Sequence, residues 1–193
     1  MAYVLINGHP GVGKVTVAYH LAGRLGSEVK VLNNHLLIDT AAALYERTDP
    51  GYQPLRKALR ETIFASLESY PPPATIIFTE WQSSDSEGTS TARSYLSAVL
   101  LRSRTTPIQF FSVILTCGEE ENVRRLTSGT RGAGNTKLTD VGVLKTIRAY
   151  AEPHQFGVEE GVTLEIEVDV TEKSAEEVAT VIFEAMRAPV RSV

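Results

Sequence analysis

The chain has 193 residues, of which 42% are hydrophobic and 22% are charged, a composition typical of a globular protein with one core. The net charge of −4 excludes a broad basic surface, so we expect neither a nucleic acid partner nor a membrane partner. The longest apolar runs, such as residues 110–117, are too short to span a bilayer. The single cysteine, Cys117, excludes an internal disulfide and favours a buried thiol in a cytoplasmic protein.

Strand and helix signals alternate along the chain. Short apolar runs predict five strands, at 3–7, 29–33, 75–80, 109–116 and 163–170. Amphipathic patterns predict a helix from the first glycine-rich turn to Leu25, and further helices at 35–47, 53–69, 90–103, 118–127, 140–151 and 174–187. Strands separated by helices indicate parallel pairing, and we expect one α/β domain over residues 1–193.

The first predicted strand runs into a glycine-rich turn, and residues 6–18 read INGHPGVGKVTVA. This stretch matches the pattern G-x-x-x-x-G-K between a strand and a helix. Glycines allow N–H groups to point at phosphate oxygens, the helix N-terminus adds positive potential, and the lysine adds an ammonium group. The pattern therefore predicts a Walker A phosphate loop for the β- and γ-phosphates of a nucleotide. Its predicted binding residues are Gly8, Pro10, Gly11, Val12, Gly13, Lys14, Val15 and Thr16.

Val15 stands where such loops usually carry a serine or threonine that binds Mg²⁺. The sequence GHPGVGKVT resembles the loop of adenylate kinases and their relatives, which also lack a hydroxyl at this position and carry a threonine one place later. The resemblance implies that Thr16 lies beside Mg²⁺. Because Mg²⁺ commonly keeps several waters, the loss of one protein ligand is tolerable.

The loop, the chain length, the five strands and a late arginine-rich segment resemble the small P-loop kinases. These include adenylate, shikimate and gluconate kinases and the chloramphenicol phosphotransferase-like group. The layout GxPGVGKxT … NHLL … R…KL is also similar to that of ATP-binding proteins of the AAA family. The resemblance implies a P-loop NTPase three-layer sandwich, with a five-stranded parallel sheet in the order 2-3-1-4-5 and a short lid at about 128–139. It also implies that ATP, with Mg²⁺, is the phosphoryl donor.

Ligands of an open α/β sheet lie beyond the carboxyl ends of the strands, so the acceptor site is expected after strands 2 and 3. His35 and Asp39, spaced i and i+4 on a predicted helix, are candidates for a general-base pair or for acceptor contacts. Similar kinases place an acid near the end of strand 2, where this chain has Asn33. Glu80 ends strand 3 and is a candidate to orient Mg²⁺ or to activate the acceptor hydroxyl. The acceptor-side helices are expected at about 35–70.

The segment 128–139 is small, polar and glycine-rich, which favours a lid that closes over the reacting groups. Arg131 is its best candidate for stabilising the negative charge on the transferred phosphoryl group. The resemblance also implies residues that border the adenine base, two by their side chains and two by their backbone: Arg124, Arg125, Thr171 and Lys173.

These patterns predict a kinase that moves the γ-phosphate of ATP to a hydroxyl group of a small-molecule acceptor, as a monomer or a homodimer. A nucleoside or nucleotide kinase is one alternative, although no arginine follows strand 3 before Arg93. An ATP-binding regulatory module or slow ATPase is the other, which Val15 and Asn33 favour.

Three further side chains or groups are open to more than one interpretation. His9 is expected to point outward from the loop or to face the acceptor pocket. Trp81 is expected to pack in the core or at the rim, or to stack on a substrate ring. A cationic set on the acceptor-side helices suggests an anionic acceptor, but a solvated helix face would give the same pattern: Arg47, Arg56, Lys57 and Arg60.

Overall fold

A computed structural model describes residues 1–70, 75–103, 107–128 and 136–188. Its five strands are β1 (Ala2–Gly8), β2 (Val29–Asn33), β3 (Thr75–Thr79), β4 (Gln109–Thr116) and β5 (Leu164–Asp169). The described ranges contain seven helices: α1 (Lys14–Leu25), α2 (His35–Ala42), α3 (Tyr52–Ser69), α4 (Ser86–Ser103), α5 (Glu119–Leu126), α6 (Val141–Tyr150) and α7 (Ala175–Arg187). None of these helices is long and apolar enough to cross a bilayer.

The sheet is parallel throughout, in the order β2-β3-β1-β4-β5. This order and the placement of β5 at an edge confirm the prediction. The register aligns Ile6 of β1 with Thr79 of β3, and Thr79 with Asn33 of β2. The carboxyl ends of these three strands therefore lie side by side, which brings the residues that follow them into one region.

Two cores cover the two faces of the sheet, as expected for a three-layer sandwich. Side chains alternate along β1, so that Val4 and Ile6 pack with α1 and α7 whereas Tyr3 and Leu5 pack with α4. Cys117 is buried in the first of these cores, as predicted.

Two helix boundaries differ from the prediction. The helix α2 ends at Ala42 rather than at residue 47, because Leu44 and Tyr45 are exposed and a turn follows. In that turn the carboxylate of Asp49 accepts a hydrogen bond from the Glu46 N–H at 2.8 Å. The helix α4 begins earlier than predicted, since Asp85 accepts from the N–H of its third residue at 2.8 Å and stabilises the first turn.

Replacement of Leu21 by alanine tests the packing of α1. Leu21 is fully buried, whereas its neighbour His20 is exposed. We expect Leu21→Ala to lower the free energy of unfolding by about 2–5 kcal/mol, because it leaves a cavity. The matched variant His20→Ala should change it by less than about 0.5 kcal/mol. Urea denaturation measures both, and equal effects of the two variants would contradict this packing.

Candidate active site

Close packing shapes the turn between β1 and α1. Gly11 has a φ of 96°, and a Cβ added there would lie 2.6 Å from Nδ2 of Asn122. A Cβ on Gly8, whose φ is 149°, would lie 2.5 Å from the carbonyl oxygen of Leu115. Two of the predicted loop glycines are therefore required by their neighbours on β4 and α5 as well as by the backbone angles.

Side chains of α5 and α6 hold this turn by its carbonyl groups. Asn122, which is fully buried, donates to the Pro10 carbonyl at 2.9 Å and accepts from Arg148 at 3.1 Å. Arg125 donates to the Val12 carbonyl at 3.2 Å. Sequence patterns did not identify the roles of Asn122 and Arg148, because the residues lie more than a hundred positions from the turn.

The start of α1 offers positive potential to a ligand. Gly13 caps the helix in a left-handed conformation and has no side chain to bond the first N–H groups. The ammonium group of Lys14 lies over the turn, where it donates to the carbonyls of Gly8 at 2.6 Å and His9 at 2.9 Å. Uncapped N–H groups beside an ammonium group fit a phosphate chain.

A cleft of about 320 Å³ connects this turn with the carboxyl ends of β2 and β3 and with α2, α3 and α6. Among the predicted residues, Lys14, Thr16, His35 and Glu80 line it, together with parts of the turn. The side chain of Val12 instead lies in the core, so Val12 can offer a ligand only its backbone. Other described lining residues form largely apolar walls: Ile38, Tyr52, Trp81, Leu138, Val143 and Ile147.

Glu80 is a buried carboxylate at the end of β3, only 1% exposed. The Tyr95 hydroxyl donates a short hydrogen bond to one of its oxygens, and the Gln82 amide donates to the other at 2.9 Å. Burial, and then the charge of Glu80, raise the pKa of Tyr95 well above its usual value, so the hydroxyl keeps its proton. Arg60 also contacts Tyr95 and supplies a buried positive charge. Each carboxylate oxygen retains a second acceptor position for a ligand.

His35 and Asp39 lie together as predicted, with His35 Nδ1 3.9 Å from Asp39 Oδ1. Asp39 also accepts from the N–H of Thr136 at 3.2 Å and from its hydroxyl. Burial raises the pKa of Asp39, but the bonds from Thr136 outweigh that effect and the pKa is lowered. Asp39 is absent from the described lining of the cleft, so it stands behind His35 and ties the segment at 136–138 to α2.

His9 is buried, at 5% exposure, rather than pointing outward as expected. Its ring stacks on Trp81 with 4.7 Å between centroids. Its Nε2 lies 2.9 Å from the Ala151 carbonyl, which only accepts hydrogen bonds, so Nε2 carries the proton. Burial lowers the pKa of His9, because it disfavours the charged ring. This stacking joins the turn after β1 to the segment after β3.

Three of the four residues predicted to border adenine lie together at the end of β5: Arg125, Thr171 and Lys173. Arg125 donates to the carbonyls of Val170 at 2.7 Å and Lys173 at 3.4 Å, and it therefore joins this region to the turn. Thr171 accepts from the Gly118 N–H at 2.8 Å. None of the four predicted residues lines the cleft in the described part of the chain.

Arg124 is exposed and forms two hydrogen bonds with Glu121, at 2.6 Å and 2.7 Å. The bonds from Arg124 and then from Arg125 lower the pKa of Glu121 to about 2. Arg131 and most of the predicted lid lie outside the described residues. At the described end of the lid, Lys137 lines the cleft.

Thr16 and Glu80 are the residues that would hold Mg²⁺. Both line the cleft with Lys14, and their hydroxyl and carboxylate oxygens are ligands that Mg²⁺ accepts. Within the ranges that the structure describes, no group of three or more His, Cys, Asp and Glu side chains could hold a metal. The arrangement therefore fits an ion that keeps water and phosphate oxygens among its ligands.

No protein-family model matches the chain, and no curated protein matches its sequence. Solved structures do match. The APS kinase of Mycobacterium tuberculosis in complex with AMPPNP and APS is 18% identical, with a TM-score of 0.56 over 97% of this chain and 98% of that chain. The tunicamycin resistance protein of Deinococcus radiodurans is 15% identical, with a TM-score of 0.58 over 100% of both chains.

A gluconokinase from Sinorhizobium meliloti is 14% identical, with a TM-score of 0.53 over 96% of this chain and 95% of that chain. At such identities the likeness shows a common fold. The predicted three-layer sandwich with the strand order 2-3-1-4-5 is confirmed, and it is a fold that this chain shares with structures described as kinases.

The lowered pKa of His9 predicts a pH dependence of stability. The native ring stays neutral where the unfolded chain, with a pKa near 6.5, binds a proton. Stability is therefore complete above that value and decreases as the pH falls below it. We expect the free energy of unfolding to decrease between about pH 7.5 and about pH 5.5, and to decrease less in His9→Gln. Urea denaturation at both pH values measures this, and an unchanged pH dependence in the variant would contradict the assignment.

Proposed function

We propose that the chain is a kinase that transfers the γ-phosphoryl group of ATP to a hydroxyl group of a small-molecule acceptor, with Mg²⁺. One observation carries the proposal. The cleft that begins at the phosphate loop continues to the carboxyl ends of β2 and β3, so Lys14 and Thr16 share it with His35 and Glu80. The fold shared with kinases supports the same class of reaction.

The donor side of the cleft consists of α1 and the turn before it. The N–H groups of the first turn and the ammonium group of Lys14 bind the β- and γ-phosphates. Thr16 and Glu80 would hold Mg²⁺, which would neutralise phosphate charge when bound. Tyr95 and Gln82 fix the carboxylate of Glu80 in place.

The acceptor side begins at His35. Its ring lines the cleft, and Asp39 lies behind it with its carboxylate ionised. In this proposal His35 accepts the proton of the acceptor hydroxyl while the oxygen forms a bond to the γ-phosphorus and the bond to ADP breaks. The apolar walls, Trp81 and Leu138 among them, limit access of water, which would compete as acceptor.

The release of ADP from Mg²⁺–ATP, with and without a pool of hydroxylated metabolites, tests this function. We expect the pool to increase the rate, and Lys14→Ala to reduce that increase by about 100-fold or more, because the transition state loses a fixed cation. The matched variant Lys30→Ala, which removes an exposed lysine from β2, should behave as the wild type.

The proposal would be overturned by slow ADP release that the pool does not change, which is the behaviour of a regulatory ATPase. Failure to bind Mg²⁺–ATP at all would overturn it as well. The variants His35→Gln and Glu80→Gln should both lower the pool-dependent rate.

A further inference from the structure

The acceptor side of the cleft is positively charged, although the whole chain has a net charge of −4. The charged residues in its described lining, other than His35, are four cations and one carboxylate: Lys14, Arg47, Arg56, Lys137 and Glu80. Lys14 belongs to the phosphate loop, and Glu80 lies against the Tyr95 hydroxyl that Arg60 also contacts. Three cations therefore surround the space that the proposed function assigns to the acceptor.

We propose that the acceptor carries an anionic group, a carboxylate, sulfate or phosphate, and that Arg56 binds it. This inference rests on the proposed function, since it names the class of acceptor for the same cleft.

Arg56 forms no ion pair with the described residues. Its two terminal nitrogens donate to neutral oxygens, those of Gln53 at 3.1 Å and Asn34 at 3.4 Å. Its buried Nε has no hydrogen-bond partner, and no carboxylate of the described residues lies within ion-pair distance of the guanidinium group. A half-buried cation with an unsatisfied donor is costly unless an anion binds it.

The next residue on α3 shows the contrast. Lys57 is exposed and pairs with Glu61 at 3.8 Å, as expected of a solvated helix face. Arg56 faces the cleft instead, with its guanidinium carbon 5.8 Å from the centre of the Tyr52 ring. A solvated helix face therefore accounts for Lys57 and not for Arg56.

Arg56 lies close to the groups that would handle the hydroxyl. Asn34, which accepts its hydrogen bond, directly precedes His35 in the chain. Asn33 accepts from the His35 N–H at 3.1 Å and from the Thr79 hydroxyl at 3.4 Å, and Thr79 precedes Glu80. Because Arg56 and His35 line the same cleft, the proposed anionic group and the reacting hydroxyl would belong to one small molecule.

Arg47 and Lys137 are the other two cations that line this part of the cleft. Arg47 donates to the Thr136 carbonyl at 3.1 Å, so it holds the backbone beside Lys137 while lining the cleft itself. Because the same cleft of about 320 Å³ is also lined by apolar side chains, the best fit is a compact hydroxylated acid.

Anion binding can be measured without turnover. The protein is saturated with Mg²⁺–ADP to fill the phosphate loop and then titrated with acetate, sulfate or inorganic phosphate, while NMR follows the arginine Nε–H signals. The signal missing in Arg56→Gln identifies Arg56. We expect at least one anion to shift that signal in a saturable manner. A shift with acetate would indicate a site for a carboxylate, whereas a shift with sulfate or inorganic phosphate would indicate a site for a tetrahedral anionic group.

The matched variant Lys57→Gln removes the same charge from the same helix and should keep the wild-type titration. No saturable shift with any of the three anions would overturn the inference. So would a shift that Lys57→Gln abolishes, because general charge attraction would then explain it. Neither result depends on phosphoryl transfer, so failure of this inference is separate from failure of the proposed function.

A turnover measurement tests the acceptor itself. The metabolite pool is divided by anion exchange into anionic and neutral halves. We expect the acceptor-dependent release of ADP in the anionic half, with a KM that rises about 10-fold to 100-fold in Arg56→Gln, because a charge-assisted hydrogen bond is lost. Lys57→Gln should leave the KM within about twofold. Activity in the neutral half, or an unchanged KM in Arg56→Gln, would overturn the inference.

Discussion

The contact between Asn122 and the turn after β1 is the constraint on which the rest of the site depends. The amide of Asn122 occupies the space that a side chain at Gly11 would need, and it holds the Pro10 carbonyl on the α5 side of the turn. Arg125 holds the Val12 carbonyl in the same way. With these carbonyls bound, α1 begins directly at the cleft, and its N–H groups are available for an anion.

A second set of contacts joins the two parts of the cleft that we propose as the donor and acceptor sides. His9 stacks on Trp81, and Asn7 of β1 bonds the backbone of Gln82 in both directions, at 2.8 Å and 2.9 Å. Gln82 in turn donates to Glu80. The position of the Glu80 carboxylate thus follows from the same strand that leads into the phosphate loop. These contacts therefore fix the Glu80 carboxylate relative to the turn after β1.

Periodicity predicted the strands and helices well, because buried strands and amphipathic helices have distinct apolar spacings. The strand order came from the likeness of the loop to kinase loops, since spacing alone does not order strands. The predicted end of α2 was wrong because a turn follows the helix, in which Asp49 accepts from the Glu46 N–H, and apolar periodicity does not indicate such a bond. His9 contacts the carbonyl of Ala151, which is far away in the chain, so its burial could not be predicted from the local sequence.

The candidate site was predictable where a local motif defines it and not where distant side chains complete it. The glycine-rich loop and Glu80 could be predicted because each lies at the end of a predicted strand. Glu80 is bonded by Tyr95 of α4, which Arg60 of α3 also contacts. The distinction between Arg56 and Lys57 appears only when α3 is packed against the cleft. From the sequence these two cations were equivalent, because neighbouring residues on a helix differ only in the direction they face.

The most direct test of the central claim is a single turnover of ATP labelled in its γ-phosphate, with excess protein, Mg²⁺ and a small-molecule extract, followed by separation of the products. If the cleft is the site of a kinase, the label moves into an organic phosphate ester that is not a nucleotide, and this product is absent with Lys14→Ala. Label that appears only as inorganic phosphate, or that stays in ATP, would contradict the claim that the cleft joins a nucleotide to an acceptor.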